Sequence, residues 1–150
     1  MVIHDLTRPE CEALLTRSSL GRLACSRDGQ PYIVPISFSF DPEARYLYSF
    51  STLGQKIQWM RLNPRVCVEV EEIVDRYHWT TVLVIGRYEE IGDAELSAAA
   101  RQRAQLLFQQ RDSWWLPGAG KVAGREEHGN PVVFRIHIDK ISGRQADRPS

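Results

Sequence analysis

Three hydroxyl side chains, Ser49, Ser51 and Thr52, come just before Gly54 and Lys56. They stand at the end of an alternating run, whereas Ile57, Met60 and Arg61 after the glycine have helical spacing. The first N–H groups of a helix have no partner inside it, and a lysine beside them makes a place for an anion. Two readings are open: a phosphate clamp, or a capped helix with a solvated lysine. A second stretch, Gly29 to Phe38, carries Pro35 inside a strand-like run. Proline cannot donate to a ladder, so this strand lies at an edge or the ladder opens there, leaving backbone groups for a flat heterocycle. A third, Trp79 to Arg87, starts with the hydroxyl pair Thr80-Thr81 on an apolar strand. There a ligand's polar edge could be hydrogen-bonded, although threonine is also ordinary at a strand start.

The elements that must position these residues can be read from pattern. Thr7 is an N-cap, with Pro9 and Glu10 in the first turn of a helix over Arg8–Arg17 that has Leu14 and Leu15 on its apolar face. A strand over Leu20–Ser26 reaches the turn Arg27-Asp28-Gly29-Gln30, with Asp-Gly at its centre, and a second strand runs from Pro31 to Phe40. After the turn Asp41-Pro42-Glu43-Ala44 comes a strand over Arg45–Ser51, then the helix Gly54–Leu62, ended by Asn63-Pro64. Strands over Arg65–Glu72 and Thr80–Ile91 follow. Asp93 caps a helix over Ala94–Gln110, and residues 112–130 read as a loop. The last strand, Pro131–Ile141, alternates Phe134, Ile136 and Ile138 against Arg135, His137 and Asp139, and Arg87 of the preceding strand is expected to pair with an acid on some neighbouring strand. The expected fold is α+β and mainly β: six antiparallel strands that close into a barrel or pack as a sandwich, with flanking helices, one domain over 1–143 and a loose tail over 144–150.

Composition narrows the function classes. The 150 residues carry 19 Lys+Arg against 19 Asp+Glu, and a zero net charge argues against a nucleic-acid binder that works by displacing counterions. Cys11, Cys25 and Cys67 are widely spaced with no CxxC, so reduced thiols are expected, at least two of them in the core, and no metal site. His4, His78, His128 and His137 are scattered. No signal-peptide pattern and no apolar run near the ~20 residues of a membrane span occur, so the expected setting is cytoplasmic. Trp114-Trp115 could line a pocket or anchor a loop. No nucleophile with its base stands at a defined spacing, so the catalytic residues are not identified.

Taken together and in order, the runs "GRLACSRDGQPYIVPISFSF", "GQKIQWMRLNPRVCVEV" and "TTVLVIGRYEEI" resemble the pyridoxamine 5'-phosphate oxidase-like family of FMN-binding split barrels. The similarity spans residues 20–92, with a weaker echo in 134–144, and lies nearest the short nitroimidazole-resistance-like, flavin-nucleotide-binding branch. It implies a six-stranded antiparallel split β-barrel of Greek-key type with flanking helices, and FMN as cofactor. Lys56 would pair with its phosphate, helped by Ser49, Ser51, Thr52 and the helix start, and Pro35, Ile36 and Ser37 would run beside the ring. Thr81 would stand where many members contact the flavin, often from a second subunit, with Trp79 as a further pocket-lining residue. A homodimer with sites at the subunit interface is implied, as is an oxidoreductase passing electrons from a nicotinamide donor to a small oxidised acceptor. Two alternatives remain: a flavin binder without turnover, and a haem- or deazaflavin-binding member of the same barrel. The chain also departs from standard pyridoxamine 5'-phosphate oxidases. Ile33-Val34-Pro35-Ile36 lacks their clamp arginine, and Gln55 stands where they have another.

Overall fold

A computed structural model describes residues 1–92, 98–110 and 131–149. Its elements are β1 (Val2–Asp5), α1 (Arg8–Arg17), β2 (Leu20–Arg27), β3 (Gln30–Ser37), β4 (Ser39–Asp41), β5 (Tyr46–Ser51), α2 (Gln55–Leu62), β6 (Arg65–Asp75), β7 (His78–Glu90), α3 (Ala98–Gln109) and β8 (Val132–Asp147). The strands form one antiparallel sheet in the order β3-β2-β6-β7-β8-β5-β4, with β1 added to β8. Among the described residues the sheet therefore has eight strands rather than the expected six, and its hydrogen bonding does not close into a barrel. The path ends at β3 and β4, which are adjacent in the chain.

Local chemistry explains most of the elements. Thr7 Oγ1 accepts the Glu10 N–H at 3.4 Å while Glu10 Oε1 accepts the Thr7 N–H at 2.9 Å, a reciprocal cap that starts α1. Asp28 (φ 50°) and Gly29 (φ 80°) put two left-handed residues in the β2–β3 turn, matching the right-handed twist of the strands it joins. The continuous strand expected over 31–40 breaks at Phe38, whose N–H donates to the Ser19 carbonyl at 3.0 Å and whose ring is fully buried. Pro35 lies, as its chemistry demands, on the terminal strand β3, which is paired with β2 alone.

The core gathers Leu14 and Leu15 of α1, Leu23, Phe38, Leu47, Ile57, Met60, Val68, Val70, Val84, Phe134 and Ile136. Cys11 and Cys25 are buried with them, and Cys67 is partly exposed. A second cluster seats α3, through Ala104 and Leu107, on Tyr48 of β5. Arg103 makes a bidentate bond to the buried Asp41 at 3.1 Å for each contact. Burial alone would raise the Asp41 carboxyl, but Arg103 and the amides of Glu43 and Ala44 outweigh it and hold the group below its usual range. Arg87 pairs with Asp139 of β8 at 3.3 Å, as its position suggests.

The end of the chain differs from its expected form. Residues 144–147 belong to β8: Arg144 lies opposite Thr81 on one side and Asp5 on the other, and Asp147 opposite Val2. Gly143 marks a close approach rather than a strand end. A Cβ there would sit 2.8 Å from the Thr81 carbonyl oxygen and 2.9 Å from Cys11 Sγ. The expected Asp93 cap and the 112–130 loop lie outside the described residues. Among the described residues, no helix is long and apolar enough to cross a membrane.

Candidate functional site

Ile57 and Met60 are fully buried and fix α2 against the core, while Trp59 packs on Tyr32 of β3 with ring centroids 5.5 Å apart. Asn63 closes the other end of the helix. Its N–H donates to the Trp59 carbonyl at 2.8 Å, its Nδ2 donates to the Ser26 carbonyl of β2 at 3.2 Å, and its Oδ1 accepts the Arg65 N–H at 3.3 Å. Asn63 thus joins helix, sheet and the entry to β6 before Pro64 forces an extended backbone. Anchored at both ends, α2 has a fixed N-terminus.

That terminus is open. Gly54 caps it with no side-chain hydrogen bond, the first turn holds no acid, and the first bond inside the helix runs from the Gln58 N–H to the Gly54 carbonyl at 3.1 Å. The N–H groups of Gln55, Lys56 and Ile57 therefore have no partner within the helix. Lys56 is half-buried and, among the described residues, pairs with no carboxylate. Burial pulls its ammonium below the ordinary lysine range, and the neighbouring Cys25 side chain opposes that shift. Burial likewise pushes the Cys25 thiol up, with Lys56 acting against it. A partly desolvated cation beside free helix N–H groups gains from an anion more than an exposed lysine would.

The hydroxyls are partly committed. Ser49 is buried and donates to the Ser37 carbonyl at 2.6 Å, tying β5 to β3 across the gap in the sheet. Ser51 donates to the Thr52 carbonyl at 3.0 Å, and Thr52 is exposed. Ser49 therefore shapes the site by holding β3 beside the start of α2, with only its lone pairs left over. Pro35 is exposed, Ile36 turns its side chain into the core, and Ser37 is half-buried with its carbonyl used by Ser49.

Thr81 is not brought to Lys56. It lies opposite Glu71 and Arg144, on the face of the sheet turned away from the core, whereas Val82 and Val84 face inward. Lys56 neighbours Cys25 on the core face. Trp79, half-buried, lies two residues before Thr81, opposite Ile73 and Ala146. Trp114 and Trp115 lie outside the described residues. Pattern reading missed Arg22, Glu69 and Glu71, which meet on this outer face: Arg22 binds Glu71 at 2.8 Å and approaches Glu69 at 3.9 Å. The alternation Cys67-Val68-Glu69-Val70-Glu71 signalled two acids on one face of β6, but nothing local pointed to Arg22 across the strand pair.

The family described as pyridoxamine 5'-phosphate oxidase matches residues 7–145 of this chain. An uncharacterised protein of Rhizobium meliloti (strain 1021) is 37% identical over 148 residues, 97% of each chain. The crystal structure of a FAD-binding protein from Mesorhizobium loti is 40% identical, with a TM-score of 0.80, covering 98% of this chain and all of that one. The FAD-binding protein from Mycobacterium smegmatis has a TM-score of 0.70 at 21% identity, covering 97% of this chain and 100% of its own, a likeness of fold alone.

Proposed function

Since the chain belongs to the pyridoxamine 5'-phosphate oxidase family, we propose that it is a flavoprotein that binds FMN at the start of α2 and works as an oxidoreductase on a small oxidised acceptor, with a nicotinamide as electron donor. The observation that carries this reading is Lys56: a half-buried ammonium beside unpartnered helix N–H groups, with no acid in the first turn. Such a donor set fits a phosphate and would be poorly solvated without one. The Mesorhizobium loti relative, a FAD-binding protein by its name, supports a flavin nucleotide, and either flavin would present phosphate to the same residues. A bound flavin supplies two-electron redox chemistry. The chain's own part is to hold the phosphate with Lys56 and the Gln55–Ile57 amides, and to keep the terminal strand β3 beside it through Ser49. The backbone of Pro35, Ile36 and Ser37 on that edge strand would run beside the ring.

Thr81 adds a second element to the proposal. It lies on the opposite face of the sheet from Lys56, so it reaches a flavin held by Lys56 only from another copy of the chain. The outer face supports such a pairing, since Ile33 (64% exposed), Leu20 (52%), Ile85 (45%) and Leu83 (39%) stand on neighbouring strands there. We therefore read the protein as a cytoplasmic homodimer with flavin sites between subunits. The test is an absorbance spectrum of purified protein after incubation with FMN or FAD and desalting, alongside sedimentation. Retained flavin bands on a dimer support the reading; a folded, colourless protein that neither flavin stabilises overturns it.

A further inference from the structure

The free edge of β3 carries a periodic set of backbone groups. In an antiparallel pair, residues that exchange both N–H···O bonds with their opposite number alternate with residues that exchange none. The Phe38 N–H donates to the Ser19 carbonyl at 3.0 Å, and the pairing continues in register from Leu20 opposite Ser37 to Arg27 opposite Gln30. Residues 36, 34 and 32 therefore bond to β2, and residues 37, 35, 33 and 31 turn their backbone groups away from it. Three observations agree. Positions 31 and 35 are prolines, which have no N–H to give; the Ser37 carbonyl accepts Ser49 Oγ at 2.6 Å; and the Pro31 carbonyl accepts the exposed Gln30 side-chain amide at 2.9 Å. β3 is paired with β2 alone, so between positions 31 and 35 these groups meet no further strand among the described residues. Two like sets result, roughly 13 Å apart along the strand: the Pro35 carbonyl with the Ser37 N–H, and the Pro31 carbonyl with the Ile33 N–H.

We infer that the second set, Pro31 with Ile33, is an adenine subsite, and that the protein takes an adenosine diphosphate group there, carried by a dinucleotide flavin that it binds in preference to FMN. This rests on the flavin reading of the α2 start and extends it along β3. A carbonyl and an N–H two residues apart on one strand edge match the amino group and the N1 atom of adenine, which donate and accept side by side. The flat face of the base has a partner as well. Tyr32 stands between the two backbone groups, and Trp59 of α2 packs on it with ring centroids 5.5 Å apart, both rings half-buried. Trp59 follows Lys56 by three residues, so the two stand on one side of α2. Lys56 in turn neighbours Cys25, which lies opposite Tyr32 in the β2–β3 pair. The anion site thus adjoins both sets, with the flavin ring at residues 35–37 and the adenine at residues 31–33. Only the backbone of Ile33 is engaged, and its side chain stays on the outer face.

The experiment is isothermal titration of the full-length protein with FMN and FAD, beside NMR titration with ADP and inosine diphosphate. FAD is expected to bind about tenfold more tightly than FMN, and ADP to move the Ile33 amide and Trp59 indole signals. Inosine diphosphate presents an oxygen and an N–H where adenine presents an amino group and a bare nitrogen, and should bind about tenfold more weakly than ADP. Ile33→Pro removes the one N–H donor between two prolines that the edge already accepts, and Trp59→Leu keeps apolar packing on Tyr32 but removes the flat ring. Each should bring FAD down to the affinity of FMN and leave FMN unchanged. FAD no tighter than FMN, inosine diphosphate equal to ADP, or variants that weaken both flavins alike overturn the inference. NADH added to FMN-loaded protein tests the other source of the group: movement of the Ile33 amide by NADH, with FMN and FAD equal, would give the subsite to the electron donor and overturn the dinucleotide. A protein that retains FMN and ignores the adenine loses this inference alone, whereas one that retains neither flavin loses the flavin reading.

Discussion

Lys56 and Glu69 form two poles of opposite charge, placed on opposite faces of the same sheet and built by different means. The positive pole is made by short-range structure: a helix start, a glycine cap and a lysine in the first turn, all within residues 54–57. The acidic pole is made by register. Arg22 of β2 reaches Glu69 and Glu71 of β6, and Leu83 and Ser142 join them only because β6, β7 and β8 align at those positions. The first arrangement survives any change that leaves α2 seated. The second depends on three strand pairings at once, so a single slip disperses it.

That contrast can be broken at either pole. The largest effect is expected for Gly143→Val: the added atoms collide with the Thr81 carbonyl and Cys11, costing about 3 kcal/mol of folding stability, the upper end for an overpacked site. Denaturant melts should show the loss. Lys56→Ala is expected to weaken FMN binding by roughly 1–3 kcal/mol, the scale of one charge-assisted contact, with little change in the melt of the flavin-free protein. Isothermal titration measures it, and unchanged affinity would place the phosphate elsewhere. Ser49→Ala removes the bond to the Ser37 carbonyl and should cost about 1 kcal/mol, together with faster hydrogen exchange at the free end of β3.

The smallest effect is in pH dependence. Burial lowers the Lys56 pKa, so the ammonium is present below that value and lost as pH rises through it. Flavin affinity should therefore fall on the alkaline side, and earlier than in Lys56→Arg, whose guanidinium does not titrate there. Parallel titrations of the two proteins would show this, and coincident curves would mean that Lys56 is not the phosphate partner. Asp41 gives the opposite sign. Its carboxyl is held low in the folded protein, so its contribution to seating α3 is full above the unfolded value and is lost as pH falls through the folded one.

What could be read from sequence is what a few consecutive residues decide. The capping of α1 by Thr7 and Glu10, the left-handed turn at Asp28-Gly29, the edge position forced by Pro35 and the helix of Lys56 ended by Asn63-Pro64 all follow from local sterics and hydrogen bonding. The alternation of Phe134, Ile136 and Ile138 is likewise local, because the side-chain period of a strand is fixed by its backbone. The tertiary structure alone decided the rest. It carried β8 past Gly143 to Asp147, since a glycine required by Cys11 and Thr81 resembles a strand end when those neighbours cannot be seen. It brought in β1, which pairs Val2–Asp5 with residues 144–147 across nearly the whole chain. It also set Thr81 and Lys56 on opposite faces of the sheet and gathered Arg22, Glu69 and Ser142 onto one face. Period and capping are properties of neighbours in the chain, whereas register and facing are set by which strands meet, and that is fixed only when the whole core has packed.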